Sequence, residues 1–153
     1  MNPQTLSFEE LLDRDGRLVY TNRGVSMLPL LREGRDLMII EKRPPPYHKL
    51  DAVLFRRPGV VGRGAYVLHR ILRVNPDGTY WIVGDNCVSG ETVSESQILG
   101  VLTGVVRGGK TLTADDLRMR LYVNTWCRCW RTRILLLRAR AFLASRLRRL
   151  IKR

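Results

Sequence analysis

A mainly β, α+β fold is what this sequence predicts: a compact, turn-rich sheet flanked by a short N-terminal helix and a basic amphipathic C-terminal helix. Between Leu18 and Arg107 the apolar residues fall in short or alternating runs of strand length, and turn signals separate them. Helical spacings of three and four occur only towards the two ends. At 153 residues the chain is long enough for one domain with a real core, and too short for two full domains and a linker.

Taken in order, Thr5-Leu-Ser-Phe-Glu-Glu-Leu-Leu12 reads as an amphipathic helix that ends near Asp15-Gly16. Ser7 stands three residues before Glu10, the spacing of a capping box, and Phe8, Leu11 and Leu12 share one side. Strands are expected at Leu18 to Thr21, Asp36 to Glu41, Ala52 to Phe55, Tyr66 to Val74, Thr79 to Val83 and Leu99 to Arg107. Asn75-Pro-Asp-Gly78 joins two of them as a hairpin, because Pro presets one turn angle and Gly accepts a positive φ. Gly108-Gly109 marks another tight turn, and Arg43-Pro-Pro-Pro-Tyr-His48 is an extended loop that no central strand accommodates. Thr113-Ala-Asp-Asp116 starts a last helical region, with Thr113 as cap and two acids at the positive helix end. Beyond it Trp126, Trp130, Ile134 and Leu137 form one apolar row and Leu136, Leu143, Leu147 and Leu150 another, with Arg in the gaps.

The net charge of +13 is concentrated in one place. All 14 acids lie at or before Asp116, where 15 basic residues nearly balance them; residues 117–153 hold 12 Lys and Arg and no acid. The body is close to neutral and the tail is the cation, which argues against a phosphate-binding face spread over the whole molecule. Cys87, Cys127 and Cys129 are an odd number without a ladder of spacings, so a disulfide framework is not expected. Cys127-Arg-Cys129 has no second pair and no His near it, short of the four ligands of a structural zinc site; no metal and no cofactor are expected. The first 25 residues include Glu9, Glu10, Asp13, Arg14, Asp15 and Arg17, and no later run reaches the roughly 18 apolar residues of a membrane span. A cytoplasmic protein, or one peripheral on the cytoplasmic membrane, is the expectation.

The candidate chemistry centres on Ser26 in Gly24-Val-Ser-Met-Leu-Pro29, after one strand and before another. A Ser beside a turn-forming Gly and a Pro can be held exposed with its backbone N–H in a fixed direction, as a nucleophile and an oxyanion site require; the same fragment also suits an ordinary turn with a buried Met. A Ser hydroxyl needs a base, and the chain has two His. His48 belongs to the Pro-rich loop and reads as solvated. His69 lies in the apolar run Tyr66-Val-Leu-His-Arg-Ile71, and an imidazole with an ordinary pKa of about 6.5 is mostly neutral at pH 7, as a base must be.

Together these residues resemble the type I signal peptidases. The order is Gly24-x-Ser26-Met27-x-Pro29-x-Leu31, Gly34-x-Asp36, Asp51-Ala-Val-Leu-Phe55, His69-Arg70-Ile71, Gly84-Asp85-Asn86 and Ile98-Leu-Gly100. It spans residues 18–107, and the His-Arg pair resembles the Ser/His branch of the signal peptidase/LexA-like superfamily. The resemblance implies a coiled β-sheet catalytic domain, placed at residues 1–112; residues 113–153, which it does not cover, read from their own spacing as a basic amphipathic helical tail. It implies an endopeptidase in which Ser26 attacks the carbonyl after a small residue and His69 is the base. It implies Glu91 as the acid supporting His69, with Asp85 bracing the neighbouring loop and Met27 and Gly24 supporting the Ser turn. The chain departs from the family pattern at Glu91, where Asp is usual, at Gly24, where a hydroxyl residue often donates to the oxyanion, and at Gly34-Arg-Asp36, which is one residue longer.

The substrate class implied is a signal or leader peptide on a precursor. For residues 126–153 three roles stay open: an anionic membrane surface, packing on the sheet, or an acidic groove of a partner. A catalytically silent or LexA-like regulatory module is the rival reading, although residues 1–25 contain no Ala for an Ala-Gly self-cleavage site. Nucleic-acid binding through the Arg-rich tail is the other.

Overall fold

A computed structural model of the chain describes residues 6–62 and 64–151, with side chains as far as Leu147. Helix α1 spans Phe8–Asp15, and the capping box forms: Glu10 N–H donates to Ser7 Oγ at 3.2 Å while Ser7 N–H donates to the Glu10 carboxylate at 2.7 Å. Gly16 ends the helix at φ +66°, a conformation that favours glycine. The expected start at Thr5 and the side chain of Leu150 lie outside what is described.

Eight strands follow: β1 Arg17–Thr21, β2 Asp36–Glu41, β3 Ala52–Arg56, β4 Tyr66–Val74, β5 Tyr80–Val83, β6 Gly90–Val93, β7 Ile98–Arg107 and β8 Lys110–Thr113. They form one antiparallel sheet in the order β1-β2-β7-β3-β4-β5-β6, with β8 also on β7. The ten-residue β7 joins its two halves: Val101 to Arg107 pair with β2, and Ile98 to Val101 pair with β3. The Asn75–Gly78 hairpin closes through Asn75 N–H to the Thr79 carbonyl at 2.8 Å, with Gly78 at φ +81°. Strands β6 and β8 are absent from the sequence reading. Both are four residues long and mostly polar, and Val93 is their one buried residue.

Both faces of the middle of the sheet are covered. In β3, Ala52 and Leu54 pack with Leu12, Met27, Leu31, Met38, Ile40, Leu68 and Val105, while Val53 and Phe55 pack with Ile71, Tyr80, Ile82 and Val101. Successive side chains of a strand point to opposite faces, so the unbroken run Ala52-Val-Leu-Phe55 supplies two cores at once.

The helical region begins one turn later than expected, at α2, Leu117–Tyr122, with Asp116 as the N-cap. Thr113 cannot cap it, because Thr113 is still paired with Gly104 in the sheet; its N–H instead donates to the Asp116 carboxylate at 2.6 Å. A π-helical turn, Val123–Cys127, leads to α3, Trp130–Ile151. This segment is packed into the body as far as Arg133, which is 1% exposed; from Arg138 to Leu147 nearly every residue is exposed.

Candidate active site

Ser26 sits in the loop between β1 and β2, and five hydrogen bonds hold that loop. Gly24, at φ +85°, donates its N–H to Glu33 at 2.8 Å and accepts from the Asn22 amide at 3.0 Å. Met27 is fully buried in the core, and its carbonyl accepts from Leu31 N–H at 3.0 Å. On the other side, Asn86 donates its backbone N–H to the Ser26 carbonyl at 2.7 Å and its amide to the Val25 carbonyl at 3.1 Å. The Gly24 N–H is thus taken by Glu33. Among the described residues nothing accepts from the Ser26 N–H, which leaves it free to donate.

His69 comes from β4, opposite Val53 on β3. It meets the Ser26 loop at Gly84: a Cβ on this glycine would stand 2.8 Å from the Ser26 carbonyl, 3.0 Å from His69 Nε2 and 2.7 Å from Cys87 Sγ. No side chain fits there, and the missing side chain is what lets the Ser loop, the imidazole and the Gly84–Cys87 turn close on one another. Ser26, His69 and Cys87 line the same cleft, of about 1030 Å³, with Arg57 beside them and Tyr20, Tyr66 and Phe8 along its apolar wall.

His69 is 7% exposed. Burial lowers its pKa below the ordinary 6.5; the negative charge of Glu91 works in the other direction and the Arg57 guanidinium again lowers it. The ring is therefore neutral at pH 7. Nδ1 is buried without a hydrogen-bond partner, and Glu91 Oε1 stands 3.7 Å from it. A carboxylate on that side favours the proton on Nδ1, which leaves the Nε2 lone pair on the Gly84 side, where the Ser26 loop lies.

Glu91 lies on β6, opposite Ile82, and is held chiefly by Arg57 through bonds of 2.8 and 2.5 Å, which lower its pKa. The acid expected to support His69 is beside it, then, but its hydrogen bonds go to an arginine. Arg57 is the residue that sequence reading missed. It follows Arg56 with nothing to tell them apart until the fold turns Arg56 to Glu9 and Arg57 to Glu91. Cys87, the other, follows directly on the Gly-Asp-Asn motif.

Asp85 makes no hydrogen bond to His69. Its fully buried carboxylate accepts from Arg70 at 2.8 and 2.9 Å, from the Tyr122 hydroxyl at 2.7 Å and from Arg133 at 3.3 Å, while Trp126 Nε1 donates to its carbonyl at 3.1 Å. Burial alone would raise the Asp85 pKa; the Arg70 charge outweighs it and holds the carboxyl ionised. Cys127 packs into the same cluster, its thiol pushed up to about 11 by burial. Asp85 thus ties the helical segment to the loop whose next residue, Asn86, grips Ser26. His48 is exposed beside Asp51, on the Pro-rich loop.

No family model, curated protein or solved structure matches this chain. What the site can do rests on its own geometry: a Ser on a braced turn with a spare N–H, and a neutral imidazole whose free nitrogen faces the Ser loop across a glycine. Among the described residues no three His, Cys, Asp or Glu side chains gather as a metal site, and no helix is long and apolar enough to cross a membrane.

Proposed function

We propose that the chain is a serine endopeptidase of the type I signal peptidase kind, acting by a Ser26/His69 dyad on a signal or leader peptide of a precursor protein. The observation that carries this reading is the convergence of the Ser26 loop and His69 Nε2 over Gly84, in a cleft large enough for an extended peptide. His69 Nε2 takes the Ser26 proton as Oγ bonds to the scissile carbonyl carbon; the oxyanion forms against the Ser26 N–H. Collapse breaks the C–N bond, His69 returns the proton to the leaving amine, and an acyl-enzyme results. Water, deprotonated by the same imidazole, then releases the acid and Ser26. Glu91 orients His69 and stabilises the imidazolium, and Arg57 holds Glu91 in place.

The order of the motifs from Gly24 to Gly100 supports the same assignment, as does the burial of Met27 beneath the nucleophile. A cytoplasmic or peripheral membrane location belongs to this proposal. Intact-mass analysis after treatment with a serine-reactive acylating probe tests it. One adduct on the full chain, lost in both Ser26→Ala and His69→Ala while their circular dichroism is unchanged, is the expected result. No adduct at any pH on a folded sample overturns the dyad in favour of a silent regulatory or binding role on this fold.

A further inference from the structure

The C-terminal helix carries two apolar rows that the structure turns in different directions. Trp130, Ile134 and Leu137 are partly buried on the side of Arg133, with Trp130 edge-on to Trp81 at 5.1 Å. Leu135, Leu136, Phe142, Leu143 and Leu147 are 56 to 68% exposed. At about 3.6 residues per turn these five share one broad face, opposite the row of Trp130, Ile134 and Leu137, over a length of about 18 Å. Arg131 and Arg138 border that face on one edge and Arg140 on the other, and Arg146 folds over the Phe142 ring at 5.2 Å. No acid occurs after Asp116, and among the described residues none of these four arginines has an ion-pair partner.

We infer that this outer face of α3 seats on an anionic lipid surface, lying parallel to it with Leu135, Leu136, Phe142, Leu143 and Leu147 among the acyl chains and the arginines at the phosphates. An exposed apolar row with cations on both edges matches the boundary between headgroups and hydrocarbon, and long Arg stems reach back to the phosphates. A second copy of the helix would set like charges edge to edge. A nucleic acid would answer the arginines and leave five large apolar side chains in water. The two tryptophans, which belt residues would supply in an ordinary interfacial helix, are spent inside the protein: Trp126 on the Asp85 carbonyl and Trp130 on Trp81. Lipid contact therefore starts near Leu135 and not at residue 126.

The test is co-sedimentation of the full chain with vesicles of phosphatidylcholine alone and with about 30 mol % phosphatidylglycerol. Binding is expected only to the anionic vesicles, weakening as salt is raised. Phe142→Glu/Leu143→Glu, at exposed positions that leave the fold intact, is expected to lower it at least about tenfold, and Arg138→Gln/Arg140→Gln several-fold. Equal binding to neutral vesicles, or undiminished binding of the Phe142/Leu143 variant, overturns the inference. A dimer in light scattering that the same variant abolishes overturns it in favour of a second copy, and retention of duplex DNA or RNA without vesicle binding in favour of nucleic acid. No turnover enters the readout, so failure here and failure of the peptidase reading are told apart.

Discussion

A general base for Ser26 must be unprotonated, and the neighbours of His69 set the pH at which that holds. Burial lowers its pKa, Glu91 raises it and Arg57 lowers it again. Below its pKa the ring is already protonated and cannot accept the Ser26 proton, so acylation should rise with pH through a midpoint below the ordinary 6.5. Arg57→Gln removes a cation and frees Glu91 to pair with the ring; both effects favour imidazolium, and the midpoint should move up. Glu91→Gln should move it down and lower the plateau less than Ser26→Ala or His69→Ala does. Rates of probe labelling across pH measure all three, and an unchanged midpoint and plateau in Glu91→Gln would remove that residue from the site. Ser26 and His69 can be named as candidates from the sequence because the order of short motifs around them, not either fragment alone, singles them out. Arg57 was not, because its task depends on which of two adjacent arginines the end of β3 turns towards β6.

At the scale of elements, the helical segment after β8 is two things joined end to end. Tyr122, Trp126 and Arg133 all reach Asp85, whose neighbour Asn86 carries the Ser26 loop, so this first part belongs to the site. The rest of α3 is exposed. A chain stopped after Leu137 should therefore label with the acylating probe as the full chain does, whereas one stopped after Asp116 should lose labelling and unfold at lower urea. Equal labelling of the two would separate the helices from the site. Arg133→Met, read by urea unfolding, should cost about 1–3 kcal/mol: it removes one partner of a buried carboxylate that keeps Arg70 and Tyr122. The sequence places a boundary between residues 112 and 113, at the helix-start signal Thr113-Ala-Asp-Asp116, whereas the structure packs the helical segment beyond it against Asp85. The buried Arg133 was invisible among twelve basic residues with the same apparent role.

Over the whole molecule, the halves of the sheet meet at β7, and a buried acid secures one end of that meeting. Asp36, at the start of β2, is fully buried and accepts from Arg107 at the end of β7 at 2.6 and 3.0 Å and from Arg32 N–H in the Ser26 loop at 2.9 Å. The Arg107 bonds, with those from Arg32, outweigh burial and lower its pKa from 3.8 to about 2. A carboxyl whose pKa is depressed by folding stabilises the native state above its unfolded value; that contribution is lost as pH falls from about 3.8 through about 2. Arg107→Gln, which leaves the Arg32 bonds in place, should cost about 1 kcal/mol at pH 7, with the difference from the parent protein shrinking as the pH is lowered towards 2, as followed by thermal unfolding.

Short-range chemistry settles the part of the protein that is legible in its sequence: six of the eight strands from their apolar runs, the Asn75–Gly78 hairpin from its turn residues, α1 from its capping box, and the neutral body and cationic tail from composition. The tertiary structure alone decided the rest. Strands β6 and β8 exist because β5 and β7 offer edges for them, with little apolar pattern of their own. Gly84 matters through the empty volume it leaves between segments far apart in the chain. The two apolar rows of the tail are equivalent in periodicity, and only docking on Asp85 and Trp81 separates the inner row from the outer. Each of these depends on distances between residues tens of positions apart, which local spacing does not encode.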